Sequence, residues 1–322
     1  MTPTPSSAVV RPTLPAEPMS PVSRDDIPEG EEWGYQLKWD GVRTLAIVQD
    51  GRVELYGKKL TRKDSTYPEI VRRLQQLKGT YLLDGETVYF DAALGRPVFQ
   101  KVLQRERTRT AASLARSSAV QPVSFVLFDL LHINGDEIRR LPYRERYARL
   151  REAFPNDGDP SLFVTDLFPN GHSLWQWVET HGWEGIVSKR LTAPYREGKQ
   201  HRDAYKKRTI QRYDVTVVGV TIRENRAASL VMSYNDVYFG RVSLGLNERS
   251  RASLLAYADR HSSDISAFRA VPNDLKQEKV VYLTQPIPLS VTGLEITADG
   301  LLRHPKLADP PELERTLAKA LH

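Results

Sequence analysis

The spacing of hydrophobic positions along this 322-residue chain changes from segment to segment, and the changes mark its elements. From about Trp33 the apolar runs are short and bounded by turn signals. Thr44 to Val48 and Val53 to Tyr56 flank Asp50-Gly51, a pair suited to positive φ, which predicts a β-hairpin. Ile70, Val71, Leu74 and Leu77 recur at helical spacing within Tyr67 to Leu77. Strand-like runs at Tyr81 to Phe90 and Val123 to Leu131 enclose a basic helical stretch from Phe99 to Arg109. Tyr143 to Phe154 and His172 to Thr180 read as helices, and Gly185 to Ser188 as a short buried strand. Hairpins among helices predict an α+β fold built on antiparallel sheet.

After Arg212 the texture alters. Tyr213 to Ile222 alternates β-branched residues, and Ser229 to Tyr234 with Val237 to Val242 predicts a hairpin across Asn235-Asp236. Ser253 to His261 reads as a lone helix, while Lys279 to Thr284 and Leu294 to Thr297 add strands. About five short strands with one helix suit a small β-barrel of the OB type. The chain therefore divides into a domain over residues 23–211 and a barrel over 212–322, with the boundary near 210 to 213. Residues 1–22 carry six prolines among small polar residues, which predicts an extended, flexible segment.

Composition narrows the chemistry. The absence of cysteine excludes disulfides, thiolate nucleophiles, zinc fingers and iron–sulfur clusters, leaving Lys, Arg, Asp, Glu, His and hydroxyls. The apolar runs fall far short of the roughly 20 residues a membrane helix needs, and the N-terminal residues lack a signal peptide's basic flank and apolar run, so a cytosolic protein is expected. The formal net charge is +6, which points to a polyanionic partner. Its location says more. Between Ser188 and Arg212 nine basic residues face only Glu197 and Asp203, a local +7 that leaves the remainder at −1. Such a run alone fits a solvated linker, and it also fits a phosphate-contacting surface.

The sharpest local pattern is Gln36-Leu37-Lys38-Trp39-Asp40-Gly41-Val42-Arg43, which sets an amine, a carboxylate and a guanidinium around one tight turn. Further groups follow in order: Asp84-Gly85-Glu86, Phe128-Asp129, Glu184-Gly185-Ile186-Val187, then Lys206 and Arg208. Singly each has a bland reading: Glu86 as a turn cap, Phe128 as core, Lys206 as a solvated cation. Together they supply an amine nucleophile, carboxylates for a metal, an aromatic face for a base and cations for a phosphate, the inventory of nucleotidyl transfer onto a lysine.

This ordered set resembles the covalent nucleotidyltransferase superfamily, and within it the ATP-dependent DNA ligases of the bacterial end-joining type. Lys38-Trp39-Asp40-Gly41-Val42-Arg43 is similar to their adenylated-lysine motif, and the resemblance runs from Pro18-Met19 to Leu302-Arg303-His304-Pro305-Lys306. That first motif is shared with RNA ligases and capping guanylyltransferases, and a non-catalytic nucleic-acid-binding relic is a further alternative. The stretch Glu295-Ile296-Thr297 to Gly300-Leu301-Leu302-Arg303-His304-Pro305 resembles the barrel of the end-joining ligases and points to DNA.

The resemblance implies that Lys38 forms a lysyl-AMP from ATP, that the AMP passes to a 5′-phosphate, and that a 3′-hydroxyl then expels it. A lysine amine is ordinarily protonated and cannot attack, so neighbouring cations and a metal are expected to ease loss of its proton. By resemblance, Asp40 and Glu86 hold the ribose or assist the metal, and Phe128 stacks on adenine with Gln36 at the base edge. Glu184 binds a divalent ion, magnesium or alternatively manganese. Lys206 and Arg208 stabilise charge on the α-phosphate, with Arg43 and Lys58 as further nucleotide contacts. Arg303 and Lys306 match the family's final motif, which swings over the nucleotide to orient pyrophosphate, with a hinge expected near residues 209 to 213. The chain departs from the family at Gly57-Lys58, where a Ser-Arg pair is usual, and at Ala204-Tyr205, where a tryptophan is usual; both Arg105 and Arg107 compete for the family's next arginine. A monomeric two-domain ligase is implied, with nicked or broken DNA as substrate and a Ku-type end-binding protein as partner.

Overall fold

The computed structural model of the protein describes residues 11–199, 201–294, 296–297 and 299–321. Glu295 of the barrel motif and residues 1–10 of the proline-rich segment lie outside them. The described chain forms two compact units that divide between Thr209 and Ile210.

The first unit is built on two sheets. The larger orders Leu162–Val164, Ser124–Ile133, Thr80–Val88, Val42–Gln49 and Arg52–Gly57 side by side. Its hairpin turns through Asp50 and Gly51 at φ of 45° and 82°, the conformation for which this pair was singled out. Alternation gives the sheet two apolar faces. Ala46, Val48, Leu83, Phe125 and Leu127 lie in one core with Ile70 and Leu74 of helix Pro68–Leu74 and Leu150 of helix Tyr143–Ala153. Ile47, Leu82 and Leu131 lie in another, with Tyr195. The predicted helix at 99 to 109 is Phe99–Arg107, and a second, Ala111–Val120, follows it, capped by Thr110.

The smaller sheet orders Val22–Ser23, Ala204–Arg208, Gly185–Arg190 and Trp33–Leu37. Trp33, Tyr35 and Ile186 pack with Leu174 and Val178 of helix Gly171–Thr180.

The proline-rich segment, expected to be flexible, is laid along this unit from residue 12. Pro12, Pro15 and Pro18 are buried, three residues apart, the period of a polyproline II helix. Leu14 and Met19 pack against the Ile47, Leu82 and Leu131 face. Prolines start with little conformational freedom, so docking them costs less entropy than docking an ordinary loop.

In the second unit, Val237–Val242, Arg226–Tyr234, Gln211–Arg223 and Lys279–Gly293 form an antiparallel sheet. A register shift between Val217 and Gly219, shared with both neighbours, bends the long strands and curls the sheet into a half-barrel of OB type. Val220, Leu230, Met232, Leu254 and Leu289 fill it. Two points differ from expectation. The predicted lone helix is Glu248–Arg260, opened by a capping box of Asn247 and Ser250, and a second helix, Pro310–Leu321, packs Leu313 and Leu317 into the same core. The strand expected at 279 to 284 runs on through Pro286 and Pro288 to Gly293, and where a strand was expected at 294 to 297 the described residues form a bridge between Ile296 and Leu302. Pro286 and Pro288 are two residues apart and so present their missing N–H on the same edge, which lies between the partners at Ser262–Ser263 and Lys306–Leu307. Among the described residues no helix is long and apolar enough to cross a membrane.

Asp129, in the Phe128-Asp129 pair, belongs to the framework. It is buried, and Arg146 from helix Tyr143–Ala153 donates Nε to Oδ1 at 2.8 Å and Nη2 to Oδ2 at 2.9 Å. Asp129→Ala strands a buried guanidinium and should destabilise the first unit by about 3–5 kcal/mol. Urea unfolding followed by tryptophan fluorescence reads this directly, because the five tryptophans, Trp33, Trp39, Trp175, Trp177 and Trp183, all precede Thr209.

Candidate active site

Strand register assembles the first part of the site. Across the smaller sheet Gln36 pairs with Val187, and Val187 with Lys206. A cross-strand row presents its side chains on one face, so an amide and an amine flank Val187 two strands apart. Lys38 follows the end of strand Trp33–Leu37, and its amide donates to the Gly185 carbonyl at 2.9 Å. Its Nζ donates to Glu184 Oε2 at 2.5 Å, while Arg208 Nε donates to Oε1 of the same carboxylate at 3.0 Å. Gly185 makes this approach possible: at φ +151°, a Cβ there would stand 2.1 Å from the Lys207 carbonyl oxygen.

The larger sheet supplies the second part. Arg43 lies opposite Glu86 in the register of Val42–Gln49 against Thr80–Val88. The Arg43 guanidinium binds Asp84 with both Nε and Nη2, the latter at 2.5 Å, and lies 4.6 Å from the centre of the Phe128 ring. Burial works against the Arg43 charge, yet Asp84 prevails and its pKa lies above the ordinary guanidinium value. Asp40 sits in the turn between the sheets, next to Gly41, where a Cβ would fall 2.2 Å from the Thr87 carbonyl oxygen.

Electrostatics set these groups apart from ordinary surface charges. Burial pushes Glu86 up to about 7, with the Glu184 and Asp84 charges adding to the effect against Lys38 and Arg43. Lys206 is lowered to about 8 by burial, then by Arg208, Lys38, Lys199 and Lys58. Lys58, exposed in the turn after Arg52–Gly57, is lowered by burial and by Lys199 and Arg43. The amide of Gln36 is buried with Nε2 lacking a hydrogen bond at normal distance, its neighbour being the Tyr143 hydroxyl. A buried unpaired donor of this kind costs about 1–3 kcal/mol and fits a ligand acceptor.

The first unit thus brings together Gln36, Lys38, Asp40, Arg43, Lys58, Glu86, Phe128, Glu184, Lys206 and Arg208. Arg303 and Lys306 lie in the second unit, Arg303 with its carbonyl accepting from Leu294 N at 3.0 Å and Lys306 exposed in strand Lys306–Leu307. Of the two competing arginines, Arg105 is buried on Glu69 at 2.9 Å and on the Gln121 carbonyl at 2.8 Å, and Arg107 is exposed.

Sequence reasoning passed over Lys189. Its Nζ donates to the Phe128 carbonyl and the Tyr143 hydroxyl, each at 3.1 Å, and stands 4.7 Å from the Phe128 ring centre; burial lowers it to about 7. The signal was alternation, since Lys189 is two residues beyond Val187 and shares its face.

Among the described residues no group of three or more His, Asp or Glu side chains gathers to hold a metal. Glu86 and Glu184 are close enough for the charge of Glu184 to act on Glu86. Their oxygen donors suit a hard divalent ion, and the raised Glu86 is what a nearby cation would relieve. The pair fits such an ion if phosphate oxygens complete its coordination.

Comparison with known proteins bears on the family and the fold. A family model for the ATP dependent DNA ligase domain matches residues 16–208. The multifunctional non-homologous end joining DNA repair protein LigD of Mycobacterium tuberculosis is 28% identical over 286 residues, 85% of this chain and 35% of that protein. LigD of Pseudomonas aeruginosa is 30% identical over 309 residues, 90% of this chain and 35% of that protein. The chain spans about a third of the length of these two relatives. The crystal structure of the ligase domain from M. tuberculosis LigD superposes with a TM-score of 0.52 at 25% identity, covering 92% of this chain and 95% of that one. An α+β adenylation domain followed by an OB-type half-barrel is the architecture they share. With the lysine, carboxylates and cations in the order of its motifs and a family model over most of the first unit, the chain belongs to the ATP-dependent DNA ligases.

Proposed function

We propose that this chain seals DNA strands through a lysyl-AMP at Lys38. The observation that supports it best is the array in which Glu184 holds Lys38 and Arg208, beside the row carrying Gln36 and Lys206. In the first step the Lys38 amine, held by Glu184 Oε2 at 2.5 Å, attacks the α-phosphorus of ATP: an N–P bond forms, the P–O bond to pyrophosphate breaks, and the proton lost from the attacking nitrogen leaves with pyrophosphate. Lys206 and Arg208 face the charge that grows on the α-phosphate. Phe128 stacks on adenine, and the unpartnered Gln36 Nε2 donates to a ring nitrogen. Arg43 and Lys58 contact ribose or phosphate, and Asp40 and Glu86 the ribose or the cation. Glu86 and Glu184 hold magnesium, or manganese, which when bound neutralises phosphate charge. Arg303 and Lys306 serve the first step by orienting pyrophosphate.

In the second step a DNA 5′-phosphate oxygen attacks the AMP phosphorus and Lys38 leaves. In the third, a 3′-hydroxyl attacks the activated 5′-phosphate, closing the strand and releasing AMP. Because both LigD relatives are end joining proteins and that of M. tuberculosis is a DNA repair protein, we place this activity in break repair, by a monomer working with a Ku-type end-binding protein.

Incubation with labelled ATP and magnesium should give an adduct that survives denaturation and alkali, is released by hot acid as a phosphoramidate is, and is discharged by nicked DNA. Lys38→Ala should abolish it, and Lys206→Ala should slow its formation on the order of 100-fold; an adduct on Lys38→Ala rejects the mechanism. Preference for GTP, or sealing of nicked RNA but not DNA, would reassign the substrate.

The raised Glu86 sets a pH dependence. Protonated it is neutral and holds a cation poorly; above about 7 it is ionised. The magnesium concentration giving half-maximal adenylylation should therefore fall as pH rises from about 6 to 8, and Glu86→Gln should flatten that slope. Adenylylation titrated with magnesium at several pH values measures both.

A further inference from the structure

The proline-rich segment ends on a ring of hydrogen bonds at the edge of the nucleotide site. Tyr195, in the basic run, donates its hydroxyl to Asp84 Oδ2 at 2.8 Å, and that hydroxyl accepts from Met19 N at 3.0 Å. The Met19 carbonyl accepts from Arg43 Nη2 at 3.1 Å, and Arg43 returns to Asp84 through both nitrogens. Five groups from four residues thus close a circuit: guanidinium, carboxylate, phenol and the two peptide groups of Met19. Asp84 is fully buried and Tyr195 nearly so; the bond between them is shielded from water, and the bonds to Met19 and Arg43 are partly so.

The same segment reaches the other sheet. Val22 and Ser23 pair in parallel with Tyr205 and Lys206, and Arg24 N donates to the Lys206 carbonyl at 3.1 Å. On the way it is tied to the basic run at Gly198, whose amide donates to the Glu17 carbonyl at 3.1 Å and whose carbonyl accepts from Ser20 N at 2.8 Å. The segment is therefore a strap joining the strand of Arg43 to the strand of Lys206, the two sides between which a nucleotide would lie.

We infer that Tyr195 and the Met19 backbone are positioning groups, which fix the Arg43 guanidinium for nucleotide binding by tying it to this strap. The inference rests on the lysyl-AMP reading for what Arg43 contacts. A guanidinium with five donors needs several acceptors to hold one orientation, and Asp84 supplies only one side. The Met19 carbonyl supplies a second direction, and Tyr195 holds both Asp84 and Met19 in place.

Tyr195→Phe deletes the hydroxyl and keeps the ring in its core. It should slow Lys38 adenylylation at saturating ATP about 10-fold, as small misplacements of positioned groups do. In Arg43→Lys, whose amine keeps a charge on Asp84 without the fork, adding Tyr195→Phe should cost less than about 2-fold more, because the phenol acts through the guanidinium. Full multiplication of the two losses, or a wild-type rate in Tyr195→Phe, overturns the inference. A second readout is independent of catalysis: phenylglyoxal modification of Arg43, followed by peptide mass spectrometry, should be slow in the wild type and faster in Tyr195→Phe at similar thermal stability. Unchanged protection overturns the inference even where no adduct forms, whereas failure of the wild type to form an adduct rejects the lysyl-AMP reading and leaves the modification result to decide this one.

Discussion

Glu184 is the constraint around which the site is arranged. One half-buried carboxylate receives the Lys38 amine on one oxygen and the Arg208 guanidinium on the other. Without it, Lys38, Arg208 and Lys206 would crowd like charges in a partly desolvated space, where repulsion is strong. With it, both cations are held on one carboxylate, Lys38 at 2.5 Å and Arg208 at 3.0 Å. Glu184 owes its position to the residue after it, because a side chain at Gly185 would force the neighbouring strand away.

The charged groups fall into two classes that their sequence context does not separate. Asp129 with Arg146, and Arg105 with Glu69, are buried pairs whose bonds are spent within the fold. Glu86, Lys189 and Lys206 are partly exposed, and burial moves each toward neutrality. Such groups lose least when a ligand of suitable charge arrives, which is why perturbed ionisation gathers where ligands bind.

Much of this was legible in the sequence, for local reasons. Asp50-Gly51 encodes its turn through positive φ, and the β-branched residues from Tyr213 to Ile222 encode a strand, which is buried on both faces from Val217 to Ile222. The motif residues are placed by register, which follows from strands whose apolar positions fix the pairing. What was missed depends on contacts distant in sequence. Tyr195 meets Asp84 across 111 positions, and no local pattern announces the pair. The strap had a signal that went unread: prolines at 12, 15, 18 and 21 repeat every three residues, the mark of one face laid against a surface rather than of a free tail. Helix Pro310–Leu321, which sequence reasoning passed over, opens with two prolines that occupy the first turn, where a missing N–H costs nothing.

The row of Gln36, Val187 and Lys206 also acts as a ruler. Hydrogen-bonded strands stand about 4.8 Å apart, so two spacings set the group proposed for the base and the group proposed for the phosphate roughly 10 Å apart at their backbones. Neither can slide along the row without breaking the ladder between strands Trp33–Leu37, Gly185–Arg190 and Ala204–Arg208. A fixed gauge of this kind keeps the two proposed contacts at one separation, set by the backbone ladder rather than by either side chain.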